Sequence, residues 1–123
     1  MAKVLIAEDD PLLSSILSNK FQASGYEVLA AFDGDEAWDK TKEWGPDILL
    51  LDIMMPKKDG WQVLEEMQKR QPSSALPILI LSNLGEAADR ERAQKLGVTE
   101  YMVKANTTPK DIVEKVQGIL KKS

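Results

Sequence analysis

Neither cysteine nor histidine occurs in this 123-residue chain. Without cysteine there is no disulfide framework, no thiolate nucleophile and no cysteine-ligated metal. Without histidine, serine–histidine hydrolysis, histidine-ligated zinc and histidine phosphotransfer on this chain are excluded. Any metal must then be a hard cation held by oxygen ligands. Long apolar runs are lacking too: none approaches the ~20 residues that a bilayer span requires. Met1-Ala2-Lys3 leads straight into an apolar stretch rather than a signal peptide. No membrane insertion is expected, and the cytosol is the expected compartment. Basic residues are outnumbered, 16 against 20 acidic ones, for a net charge of −4. Direct nucleic-acid binding is therefore not expected, because it normally carries a basic footprint.

What the chain does have is alternation. Short continuous apolar runs at Lys3 to Ala7, Glu27 to Ala31, Ile48 to Leu51, Ile78 to Leu81 and Glu100 to Val103 read as buried strands. Segments of helical spacing lie between them. Leu13, Ile16, Leu17 and Phe21 form a stripe behind Pro11, which suits a first helical position. Asp33 and Glu36 have capping-box spacing, and Gly45-Pro46 ends that helix. Val63, Leu64 and Met67 face a core from a third helix, closed by the stretch from Pro72 to Pro77. A fourth helix runs from about Glu86 to Lys95, with Gly97 just past its end. The last starts at Thr108-Pro109, with Thr108 as N-cap, and turns Ile112, Val113, Val116, Ile119 and Leu120 inward. Trp38, Trp44 and Trp61 read as packing residues, and Lys110, Lys115, Lys121 and Lys122 as a solvated face.

Five strand–helix units in strict alternation predict one α/β domain over residues 1–123, a (βα)5 doubly wound parallel sheet. The flavodoxin-like order 2-1-3-4-5 fits best. In such sheets ligands bind beyond the carboxyl ends of the strands, where strands 1 and 3 diverge. Glu8-Asp9-Asp10 follows strand 1, Asp52 follows strand 3, Ser82 ends strand 4 and Lys104 follows strand 5. Singly, each is an ordinary post-strand polar residue that caps a helix or satisfies a turn. Jointly, they put carboxylates, a hydroxyl and an ammonium on one edge. Two carboxylates 4 Å apart repel by roughly 4 kcal/mol at an effective dielectric of ~20. One lysine cannot neutralise Asp9, Asp10 and Asp52 together, whereas Mg²⁺ can, and Mg²⁺ favours sites that also take phosphate oxygens.

Glu8-Asp9-Asp10, Leu50-Leu51-Asp52-Ile53-Met54-Met55-Pro56 with Asp59-Gly60, Ser82 and Lys104 resemble the receiver domains of two-component response regulators across essentially the whole chain. The resemblance implies that Asp52 is the phosphoacceptor. It implies that Asp9, Asp10, Asp52 and the backbone carbonyl of Met54 hold Mg²⁺. Ser82 and Lys104 would contact phosphoryl oxygens, and Tyr101 would be the switch aromatic, turning inward to remodel the face of helix 4, strand 5 and helix 5. Met54 and Leu84 would modulate phosphate lifetime. The implied partners are a sensor histidine kinase or histidine phosphotransfer protein and a downstream target protein. The chain would be a signalling domain rather than an enzyme. A relay intermediate, a piece of a longer regulator and a degenerate, purely protein-binding receiver are the alternatives. Two positions depart from the family pattern. Ala105 replaces the usual proline after the lysine, leaving a cis or trans path open, and Asn83 is larger than the usual small residue. A flavin-binding relative would need a phosphate-cradling loop where Glu8-Asp9-Asp10-Pro11 stands. An aspartyl phosphatase would need a second aspartate two residues after its nucleophile, where Met54 stands.

Overall fold

A computed structural model describes residues 1–70 and 76–121. The strands are β1 (Lys3–Ala7), β2 (Glu27–Ala31), β3 (Ile48–Leu51), β4 (Ile78–Ser82) and β5 (Glu100–Val103). The helices are α1 (Pro11–Ala23), α2 (Gly34–Trp44), α3 (Gly60–Arg70), α4 (Ala87–Lys95) and α5 (Pro109–Lys121), with a 3₁₀ turn over Lys104–Asn106. All strands pair in parallel, in the order β2-β1-β3-β4-β5. This is the expected flavodoxin-like topology. Pro72, in the stretch expected to close α3, and Lys122 lie outside the described residues.

The continuous apolar strands follow from burial on both faces. Successive strand residues point to opposite sides. Leu5, Leu49, Leu51, Ile78 and Ile80 pack with Trp38, Trp61, Leu64 and Met67 under α2 and α3. Val4, Ile6, Ile48, Leu50, Leu79 and Leu81 pack with Leu17, Phe21, Ile112, Val113 and Val116 under α1 and α5. One expected core residue is misplaced. Ile16 stands 43 % exposed, because α1 turns Ser14, Leu17 and Phe21 inward and leaves Ile16 off that line. The expected tryptophan packing holds for Trp38 and Trp61, which are buried, and Trp44, which packs partly against the same core.

α4 is the least buried of the five α-helices, since Ala93 is its only buried residue. It is held sideways instead. The Arg92 guanidinium lies 4.5 Å from the Trp61 ring centroid and 3.5 Å from Glu65, and Arg90 lies 5.2 Å from the Tyr101 ring. Such cation–π contacts are each worth about 0.5–1 kcal/mol at exposed sites.

Candidate phosphoacceptor site

β1 and β3 are neighbours, and the chain leaves them toward opposite edges of the sheet. Their carboxyl ends therefore open a crevice. The Asp52 N–H donates to the Ala7 carbonyl at 2.9 Å, which sets Asp52 directly beside the end of β1. Asp52 is 4 % exposed. Its Oδ1 accepts from the Met54 N–H at 3.1 Å and its Oδ2 from Lys104 Nζ at 2.9 Å.

Lys104 also reaches Glu8 Oε1, at 2.5 Å. One ammonium thus faces two buried carboxylates. Burial works against the charged lysine, but its pairing with the Glu8 and Asp52 carboxylates outweighs that and holds its pKa above the ordinary value. Glu8, only 2 % exposed, is pushed up to about 7 by burial, despite the lowering by Lys104 and by the Asp10 N–H, with the Asp52 charge adding to the rise.

Carboxylate oxygens of Glu8, Asp9 and Asp52 lie within 4.8 Å of one another, and Asp9 faces solvent. Glu8 Oε2 accepts from the Asp10 N–H at 3.0 Å. Oε1 is buried and lacks hydrogen-bond geometry even to the lysine it touches. A buried anionic oxygen short of donors, within an all-oxygen set open on one side, fits a hard divalent cation.

Asp10 departs from its expected place in this set. It is the N-cap of α1, and its Oδ1 accepts from the Leu12 N–H at 3.0 Å. The physical reason is Pro11 at the first helical position, which makes the preceding residue the cap and turns its carboxylate along the helix. Glu8 stands with Asp9 and Asp52 instead. The exposed aspartate could be read from the chain. The buried glutamate could not, because its burial depends on a lysine distant in sequence.

Ser82 is fully buried, and its Oγ accepts from the Leu84 N–H at 3.3 Å. Tyr101 is 9 % exposed, with its ring turned inward and its hydroxyl donating to the Leu84 carbonyl. The Leu84 backbone therefore joins the two expected switch residues. The Tyr101 hydroxyl pKa is raised, chiefly by burial. Met54 is 61 % exposed. Its side chain lines a cleft of about 500 Å³ with Ile53, Met55, Asp59, Trp61 and Leu84. The Lys104–Ala105 bond is trans, as are all peptide bonds among the described residues. Without proline, the chain turns directly into 3₁₀ structure, and the Thr107 N–H donates to the Lys104 carbonyl at 3.2 Å.

The sequence matches the family described as the response regulator receiver domain over residues 4–117. The chain belongs to that family. Among curated proteins, it is 38 % identical to a probable transcriptional regulator, ycf27, of Guillardia theta, over 98 % of this chain and 46 % of that protein. It is 35 % identical to the alkaline phosphatase synthesis transcriptional regulatory protein PhoP of Bacillus subtilis, over 98 % of this chain and 49 % of that one. The receiver thus spans about half the length of these relatives. Among solved structures, it resembles the Francisella response regulator 1452 receiver domain with a TM-score of 0.90 at 29 % identity, covering 99 % and 98 % of the two chains. The Vibrio cholerae chemotaxis protein CheY4 gives 0.86 at 28 %, covering 95 % and 97 %. Receivers are signalling domains that generally bind Mg²⁺ through an acidic pocket and accept a phosphoryl group. None of this receiver's described helices is long and apolar enough to cross a membrane.

Proposed function

We propose that this receiver takes a phosphoryl group onto Asp52 from the phosphohistidine of a sensor histidine kinase or histidine phosphotransfer protein. The reaction depends on Mg²⁺ held by Glu8, Asp9, Asp52 and the Met54 backbone carbonyl. One observation carries the reading: a buried aspartate at the sheet's switch point, beside two further carboxylates and bonded to a lysine. An Asp52 carboxylate oxygen attacks phosphorus, the P–N bond breaks, and the imidazole nitrogen leaves with the electron pair and takes up a proton. Carboxylate is a weak nucleophile, so the gain comes from positioning and charge neutralisation. The cation supplies neutralisation of the phosphoryl oxygens when bound. Lys104 offsets the charge on Asp52, and the Met54 N–H holds Oδ1 in place.

The acyl phosphate then gives Lys104 and the Ser82 hydroxyl a new anionic partner. Both connect to the output face, Lys104 through β5 and Ser82 through Leu84 to Tyr101. Phosphorylation would shift the population of arrangements of α4, β5 and α5. On that face a cleft of about 590 Å³ opens between β5 and α5, lined by Glu100, Met102, Lys115 and Ile119 among others. A downstream target protein would read it. The test is exposure to acetyl phosphate with millimolar Mg²⁺, followed by intact mass. One phosphoryl adduct is expected, lost when Mg²⁺ is chelated and lost in Asp52→Asn. An unmodified wild type, or an adduct retained by Asp52→Asn, refutes the assignment.

Met54 and Leu84, two residues after Asp52 and Ser82, line one cleft with apolar side chains, and neither can orient a hydrolytic water. The aspartyl phosphate should therefore persist. Met54→Asn and Leu84→Glu are expected to hydrolyse it severalfold faster, followed by loss of the adduct after removal of the phosphodonor. Slower loss in both variants would contradict that role.

A further inference from the structure

The loop from Asp52 to Asp59 carries the acceptor and the Met54 carbonyl, and it is gripped at both ends. At its far end the Gly60 N–H donates to the Ile53 carbonyl at 2.8 Å, and a β-carbon at Gly60 would lie 2.7 Å from the Asp52 carbonyl oxygen. Its middle leans on the first turn of α2, which the phosphotransfer chemistry does not use. The Gly34 N–H donates to the Pro56 carbonyl at 3.3 Å. A β-carbon at Gly34 would fall 1.9 Å from the Lys58 carbonyl oxygen. Lys57 Nζ lies 3.5 Å from Oδ2 of Asp33, whose Oδ1 caps α2 through the Glu36 N–H at 2.8 Å. Lys58 Nζ lies 3.9 Å from Asp35 and 3.6 Å from Glu66 on α3. Lys57 itself has φ 68°, a left-handed backbone that a residue with a β-carbon keeps only where its surroundings hold it.

We infer that Asp33, Gly34 and Lys57 form a clasp that positions the acceptor loop and thereby sets the receiver's affinity for Mg²⁺. The inference rests on the metal site proposed above. Metal ligands supplied by a loop bind well only if the loop is ordered beforehand, since ordering on binding subtracts from affinity. The clasp supplies that order from outside the site. Asp33, Gly34 and Lys57 are thus positioning residues, and none of them touches the acceptor.

Calorimetric titration with Mg²⁺ alone tests this at a temperature where each variant is folded by circular dichroism. Gly34→Ala forces the loop away from α2 and is expected to weaken Mg²⁺ binding tenfold or more, with faster amide exchange at Met54 and Gly60. A residue that only stabilised the fold would lower the melting temperature and leave the dissociation constant alone. Where Gly34→Ala fails to fold, Asp33→Asn and Lys57→Met decide. Asp33→Asn keeps a capping oxygen but drops the ion pair. Charge alone would move these two in opposite directions, Asp33→Asn toward weaker and Lys57→Met toward tighter Mg²⁺ binding. Loss of the clasp weakens both, two- to threefold. A folded Gly34→Ala with a dissociation constant within twofold of wild type overturns the inference alone, as do opposite shifts in the pair. A wild type that takes up no Mg²⁺ overturns the proposed metal site and this inference with it.

Discussion

Lys104→Met is expected to lower the stability of the metal-free protein by about 3 kcal/mol at pH 7.5, or roughly 10 °C in melting temperature for a domain of this size. Lys104 is the cation between Glu8 and Asp52, which are 2 % and 4 % exposed. Removing one partner of a buried ion pair typically costs about 3–5 kcal/mol, because the remaining charge is left uncompensated. Two features keep the loss near the lower figure. Glu8 can take up a proton once the ammonium is gone, which caps its share of the penalty. Methionine also fills much of the lysine's length without a charge to desolvate. Millimolar Mg²⁺ should restore much of the deficit, and its stabilising effect should exceed that in wild type, since the cation then binds a more anionic pocket. Thermal unfolding with chelator and with Mg²⁺ measures both. A variant as stable as wild type without metal would show that the two carboxylates do not press on one another.

The fold could be read from the chain because both faces of the sheet are covered. β3 and β4, Ile48–Leu51 and Ile78–Ser82, are buried at every residue, so each appeared as an unbroken apolar run. The alternating connections then left few topologies to choose from. The meeting of Asp52 and Lys104 was legible by the same logic, since each follows a strand at the edge where such sheets bind ligands. The placement of Asp10 outside the carboxylate cluster has a local cause. Asp10-Pro11 is itself an N-cap signal, and Asp10 turns Oδ1 to the Leu12 amide while the clustered carboxylates are those of Glu8, Asp9 and Asp52. Glu8 was beyond sequence reasoning for another reason: a glutamate after a strand reads as solvated until the fold shows Lys104 above it. The grip of α2 on the acceptor loop was equally hidden. Asp33 and Glu36 announced a helix start, but nothing local revealed that Gly34 would lie against the Lys58 backbone. The Lys104–Ala105 bond was undecidable from sequence, because the alternatives differ by a turn that tertiary contacts select.

The pH dependence of the metal-free protein should run opposite to ordinary acid denaturation. Glu8 has a folded pKa of about 7 against 4.5 for the free side chain, raised first by burial and further by the Asp52 charge. Between those values the folded state holds a proton that the unfolded state has released. Stability is therefore highest near the lower value, falls as pH rises and levels off above about 7. A displacement of this size corresponds to about 3 kcal/mol across the window. Among the described residues no other shifted group competes there. Lys104 has a raised pKa, so its contribution is constant over this range and is lost only in strongly alkaline solution. Asp33 and Asp111 have lowered values, through the backbone hydrogen bonds of Glu36 and Thr108, and their contributions are lost only below the window. Denaturant unfolding at pH 5, 6 and 7 in the presence of chelator should thus give a falling series. Glu8→Gln should flatten it, since an amide neither titrates nor opposes Asp52. Mg²⁺ should flatten it as well, by competing with the proton for the same oxygens. If wild type instead gains stability from pH 5 to 7 without metal, Glu8 is not buried beside Asp52, and the three-carboxylate pocket loses its buried member.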